Sequence, residues 1–282
     1  YSKKKIVNLR DYLLNINPDF SCFREQPIKD EVEEIIGWTS TVFLRNNEPL
    51  SSGTSRSREI ARRIALAEAF ERSIFNSLAK SDLERLRITD IPSTSGCAAG
   101  FNKRKTQLRS LFEAVERWSW SKWIDDNHSL NRVVVNHFDN FENYFMNQFD
   151  LVDFFEVPLK IECPYYNGPL YFHVVLGYVK SGVFPGSRVS STPGGGFTHG
   201  LIEAHRNYTN YLYLIKNNHR PQYWLEERVF HFAKNKNAIK PYTRSRKQVW
   251  PKPQIDICEE VITSHPHVYF FRSLMKDYIP WH

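Results

Sequence analysis

The feature that most constrains this chain is a seven-residue pattern that occurs twice. Leu66-Ala67-Glu68-Ala69-Phe70-Glu71-Arg72 and Leu111-Phe112-Glu113-Ala114-Val115-Glu116-Arg117 share the form Leu-x-Glu-Ala-φ-Glu-Arg, where φ is apolar. Each copy lies inside a stretch with helical periodicity. Residues 56–79 place Ile60, Ile64, Leu66, Ala67, Phe70, Ile74 and Leu78 at helical intervals, and residues 106–124 do so with Leu108, Leu111, Phe112, Val115 and Trp118. Glutamates three apart sit one turn apart on one helix face. Two such helices packed side by side bring Glu68, Glu71, Glu113 and Glu116 together, and four clustered carboxylates require cations. Mg²⁺ suits an all-oxygen donor set and keeps coordination positions free for phosphate. Arg72 and Arg117 follow directly, each able to grip a phosphate bidentately or to neutralise a neighbouring glutamate. Either copy alone reads as an ordinary exposed helix face; the duplication is what points to a site.

The remaining pattern places these helices in a mixed α/β fold of layered sheets and packed helices. Strands are expected at 37–44, 131–135, 151–161, 170–180, 184–190 and 268–272, with a short strand and helix within 1–21 and a turn at 48–54. The segment 93–100 (STSGCAAG) reads as a small-residue loop or short strand, and Ser93 and Ser95 carry hydroxyls suited to a phosphate. Pro193-Gly194-Gly195-Gly196 opens a third helix at 201–216. It lacks the Gly-Lys-Ser/Thr of a phosphate loop and reads equally as a glycine turn. His199 and His205, six apart, miss the i, i+4 spacing of a paired metal site.

Composition excludes several classes. Aromatic residues make up 15% of the 282, against disorder, and 12 scattered glycines exclude a collagen-like repeat. No apolar run is long enough to span a membrane. The segment 6–16 carries Arg10 and Asp11, which breaks the apolar centre that a signal peptide needs. The chain does not begin with Met, so a preceding segment is expected. Cys22, Cys97, Cys163 and Cys258 lie far apart with no Cys-x-x-Cys pair, which favours unpaired thiols and a reducing, cytoplasmic setting. Cys97 has no base in its vicinity and reads as a packed thiol rather than a nucleophile. Net charge is +7, and residues 218–252 hold nine Lys and Arg against Glu226 and Glu227. That stretch, with its Pro, Lys and Asn, reads as an exposed basic insertion in a single domain spanning 1–282. Its aromatics Tyr223, Trp224, Phe230, Phe232, Tyr242 and Trp250 suit either single-stranded nucleic acid or anchorage to the core. No nucleic-acid motif accompanies them, so that partner is disfavoured.

The paired Glu-x-x-Glu-Arg helices, with Ser95-Gly96-Cys97-Ala98-Ala99-Gly100 before the second, resemble the YcaO family. The resemblance is carried by residues 53–123 and extends weakly to the glycine loop, the third helix and the strand holding Arg272. It implies ATP- and Mg²⁺-dependent phosphorylation of peptide backbone amide oxygens, which activates them for attack by Cys, Ser or Thr side chains to give azolines, or for thioamide or amidine formation. It further implies a peptide substrate, a partner protein that delivers it, an oligomeric assembly, Glu68, Glu71, Glu113 and Glu116 as metal ligands, and Arg72, Arg117 and Ser95 as nucleotide contacts. The chain departs from the family at several positions. Gly53-Thr54-Ser55 stands where the family carries Gly-Lys-Gly, Ile64 replaces a Ser and Arg109 a Gln, and the third-helix Glu and Gln positions fall on Tyr211 and Leu214. These departures support an alternative: a degenerate YcaO-like subunit that binds a peptide or partner without ATP turnover.

Overall fold

Two long helices begin where the side chains dictate. Ser57 caps α1 (Arg58–Asn76) by accepting the Ile60 N–H at 3.4 Å, and Asn102 caps α3 (Lys103–Ile124) by accepting the Lys105 N–H at 3.0 Å. The computed structural model describes residues 20–89, 93–221, 224–243, 249–263 and 267–278. Between α1 and α3 lies the short α2 (Lys80–Arg85), and three further helices follow α4 (Asn140–Met146): α5 (Phe197–Lys216), α6 (Trp224–Lys234) and α7 (Lys240–Thr243).

Three antiparallel sheets carry these helices. The first is the meander β1 (Phe20–Lys29), β2 (Ile35–Leu44) and β3 (Pro49–Ser55); the expected turn at 48–54 is in fact β3. The second has the order β4 (Cys97–Gly100), β10 (Tyr269–Met275), β9 (Ile255–Val261). The third runs β5 (Arg132–Val133), β6 (Leu151–Leu159), β7 (Leu170–Tyr178), β8 (Val183–Ser190). The strand and helix expected within 1–21 fall outside the described residues except at the start of β1.

Packing determines which helices meet. α1 lies on β2 and β3, where Ser51 Oγ donates to the Ala65 carbonyl at 2.6 Å. Gly53 permits this approach: a Cβ there would stand 2.3 Å from the Ala61 carbonyl oxygen. Leu66 and Phe70 close a core with Val42 and Phe270. α3 packs on β4 and β10 and reaches β8, with Leu111, Val115 and Trp118 in a core with Phe172 and Val174. α5 lies across β7 and β8. The twin helices are therefore not packed side by side, as the repeat led one to expect. Both pack on β4, whose four residues Cys97–Gly100 are all buried. Small residues are required in β4 because helices press on it from two sides.

The basic stretch differs from its sequence reading. Phe230, Phe232, Ala233 and Ile239 are buried, and the Trp250 indole N–H donates to the Ser129 carbonyl at 2.8 Å. Phe230, Phe232, Tyr242 and Trp250 pack against the core rather than forming an exposed stacking surface, while Tyr223, Arg244, Arg246 and Lys247 lie outside the described residues. No helix among the described residues is long and apolar enough to cross a membrane.

Candidate active site

The repeated glutamates fall on the inward faces of α1 and α3. Glu71 and Glu116 are buried, and Glu68 and Glu113 are half-buried. Glu71 is held well above the ordinary carboxylate range, first by burial and then by the negative charge of Glu113. Glu113 is raised too, by burial; Arg117, Arg188 and Arg109 pull against it, and the Gly96 N–H donates to its carboxylate. Gly96 takes the left-handed conformation, φ +75°, and a Cβ there would lie 2.1 Å from the Ser273 carbonyl oxygen. Only glycine brings that amide to Glu113 without strain.

Glu116 joins a group that the repeat did not reveal. Its Oε1 accepts the Ser187 hydroxyl at 2.8 Å, the Ser187 N–H donates to Glu203 Oε2 at 2.7 Å, and the Trp120 indole N–H donates to Ser187 Oγ at 2.5 Å. Ser187 of β8 thus gathers a carboxylate from α3 and one from α5. Burial, followed by the charge of Glu203, pushes Glu116 up to about 7 against the pull of Arg117. Arg117 is deeply set; burial opposes its charge, but Glu116, Glu113 and Glu203 outweigh burial and hold it firmly protonated. At the first turn of α5, His199 is exposed, and the positive charge of Arg188, Arg206, Arg117 and Arg109 works against its protonation.

The result is a cluster of charges of both signs. Glu113 and Arg117 are half-buried. Among the described residues, none of Glu71, Glu113, Glu116 and Glu203 stands at ion-pair distance from an arginine, so their charge is attenuated at range rather than cancelled. No three of the His, Cys, Asp and Glu side chains among the described residues stand in a ready-made metal-binding group. Glu116 and Glu203 are joined through Ser187, and the charge of Glu113 acts on Glu71.

The other expected site residues are placed as follows. Arg72 is exposed and engaged with Glu68 at 2.7 Å, one turn back on α1. Ser95 is half-buried in the loop before β4, and its carbonyl accepts from Arg272 Nη1, as does that of Ser93 at 2.9 Å. The glycine loop spends its amides internally: the Gly194 N–H donates to Glu156 at 2.6 Å and the Gly195 N–H to the Thr192 carbonyl at 3.2 Å. Burial pushes the Cys97 thiol up to about 12, in keeping with a packed rather than reactive sulfur. Tyr211 and Leu214 are buried in an apolar cluster where Tyr211 packs on Phe184 and Phe230. The acidic residue of the third helix is Glu203. The signal was present: an acid flanked by Leu201, Ile202 and Ala204, all buried, lies on an inward-facing stretch of α5.

No protein-family model matches the chain, and no curated protein matches it in sequence. Solved structures match it in fold. YcaO from Methanopyrus kandleri bound with AMPPCP and Mg²⁺ aligns with a TM-score of 0.62 at 12% identity, covering 95% of this chain and 87% of that one. A heterocyclase in complex with substrate and cofactor aligns with a TM-score of 0.56 at 12% identity, covering 95% of this chain and 51% of the other, so this chain spans about half its length. At such identity the likeness is one of fold: the chain has the YcaO fold.

Proposed function

We propose that this chain binds Mg-ATP in the cleft between α1, α3 and α5 and activates peptide backbone amides by O-phosphorylation. The observation that carries the reading is the set of carboxylates Glu71, Glu113, Glu116 and Glu203, none of which forms an ion pair with an arginine among the described residues, and burial makes Glu71, Glu113 and Glu116 reluctant to ionise. A divalent cation relieves that cost. The donors are all oxygen, which fits Mg²⁺, with Glu71 and Glu113 from one side and Glu116 and Glu203 from the other as the residues that would hold it. Bound there, the metal would offset triphosphate charge. The fold shared with a protein bound with AMPPCP and Mg²⁺ supports the same reading.

The chain's own groups divide the work. Arg117 and Arg188 present fixed positive charge to the transferring phosphoryl oxygens, where preorganised charge acts most strongly. Ser187 orients Glu116 and Glu203, and Gly96 orients Glu113. In the reaction the amide oxygen bonds to the γ-phosphorus as the bond to ADP breaks. A Cys, Ser or Thr side chain of the peptide then attacks the amide carbon, and phosphate leaves with the former amide oxygen. The peptide and the partner protein that delivers it belong to the same proposal, as do a single catalytic domain and a cytoplasmic, oligomeric protein.

A second reading, a peptide- or partner-binding subunit without turnover, is favoured by one observation: the described donors do not form a ready-made metal group. Calorimetric titration with AMPPCP, with and without Mg²⁺, separates the two. The enzyme reading requires metal-dependent binding that Glu116→Gln abolishes, and ATP consumption when peptide is added. Absence of nucleotide binding by the folded protein overturns it in favour of the second reading.

A further inference from the structure

Resting on the reading above for the peptide alone and not for the nucleotide, we infer that the cavity of about 470 Å³ between residues 133–138, the glycine loop and the start of α5 seats an extended peptide segment carrying a lysine or arginine. Val133, Val135, Phe138 and Phe197 supply its apolar walls, and Glu142 and Glu156 its carboxylates. β5 is the edge of the third sheet and pairs with β6 only at Arg132 and Val133. Beyond them the main chain of 134–138 makes no backbone hydrogen bond among the described residues, and Val134 is 86% exposed. A strip of open N–H and C=O groups beside an apolar cavity suits an extended peptide: its main chain pairs with the strip, and the cavity selects a side chain.

The two carboxylates differ. Glu142 is answered: Arg56 Nη2 stands 3.1 Å from its Oε1, which also accepts the Thr198 hydroxyl. Glu156 is held but not neutralised. Its Oε2 accepts the Gly194 N–H at 2.6 Å and lies 3.1 Å from Nε2 of His173, a side chain with no exposed surface. Burial keeps His173 below its ordinary value, against the pull of the Arg188 carbonyl, which its Nδ1 meets at 3.1 Å, and of Glu156. The imidazole is therefore uncharged at neutral pH, and the carboxylate keeps its charge. Glu156 Oε1 has no partner among the described residues. It is a fixed acceptor for a cation, in a chain whose net charge of +7 otherwise repels one.

The test uses the full chain and the probe fluorescein-Val-Thr-Lys-Val-Thr-amide, read by fluorescence anisotropy, with folding followed by thermal melting. Saturable binding is expected, and norleucine in place of the probe's lysine is expected to weaken it about tenfold, the scale of one charge-assisted hydrogen bond. Glu156→Gln is expected to weaken the lysine probe equally and to leave the norleucine probe within about twofold, which separates lost charge from lost fold. Val134→Lys adds a like charge at an exposed position and is expected to weaken the lysine probe more than the norleucine one. Glu84→Gln, on α2, is expected to change neither by more than about twofold. No saturable binding by the folded parent, equal affinity for the two probes, or a lysine preference that survives Glu156→Gln overturns the inference. Butylamine binding as tightly as the lysine probe also overturns it, by making the cavity a small-amine site. Those results leave the Mg-ATP reading standing; peptide binding as expected, with no AMPPCP binding, overturns that reading alone.

Discussion

Glu116 is a carboxylate whose surroundings favour its proton: buried, close to Glu203, and satisfied through Ser187. A glutamine preserves its shape and can keep the bond from Ser187, so Glu116→Gln should leave thermal stability unchanged or raise it while metal-dependent nucleotide binding disappears. Melting curves beside calorimetric titrations check both halves. Gly96 is the converse case. Gly96→Ala places a methyl against the Ser273 carbonyl in a left-handed conformation and should cost about 2 kcal/mol or more in denaturant unfolding. The sequence revealed these residues unevenly. Glu68, Glu71, Glu113 and Glu116 stood out because the pattern was repeated, and Gly96 because it lay in a run of small residues. Glu203 has no repeat partner, and its role exists only through Ser187, which lies 16 residues away on a different element. Arg72 shows the opposite limit: the adjacent glutamate one turn back claimed it before any ligand could.

Among the elements, α1 and α3 were legible because apolar residues recur at helical intervals through 56–79 and 106–124. In the first and second sheets β2 and β10 were expected at 37–44 and 268–272, but β1, β3 and β9 were not legible as strands. β1 mixes Arg24, Glu25 and Gln26 with its apolar residues: Arg24 and Gln26 are exposed, while Glu25 serves α1. Glu25 bonds Arg58 at 2.6 Å and also pairs with Arg62. Arg62, then Arg58, hold the Glu25 carboxyl down at about 2 from an ordinary 4.5, against burial. Because the folded value is lowered, the stabilisation is complete above pH 4.5 and is lost as pH falls through 2. Glu25→Gln should therefore cost about 1–2 kcal/mol at neutral pH, reduced by the solvent exposure of both arginines, and the difference from the parent should vanish near pH 2. Urea unfolding at a series of pH values checks the sign. β9 was missed for a related reason: Asp256, Glu259 and Glu260 break its apolar run because they pair outward with Arg87, Arg85 and Lys103.

At the scale of the whole molecule, the fold is shared at 12% identity because what it specifies is a layout, three antiparallel sheets with helices packed on them. Ligand binding should show in global stability. Mg²⁺ with AMPPCP at about 100 times its dissociation constant should stabilise the protein by about 2.7 kcal/mol, and either component alone by much less, as read by thermal shift. The net charge of +7 favours polyanions in general, but Phe230, Phe232, Tyr242 and Trp250 of the most basic stretch pack against the core. The convergence of three helices is the central claim, and Glu203 tests it most directly because neither half of the repeat contains it. Calorimetric titration of Glu203→Gln with AMPPCP and Mg²⁺ should show metal-dependent binding lost as completely as in Glu116→Gln, with the fold intact by melting. Metal-dependent binding in Glu203→Gln at the parent affinity would contradict the account.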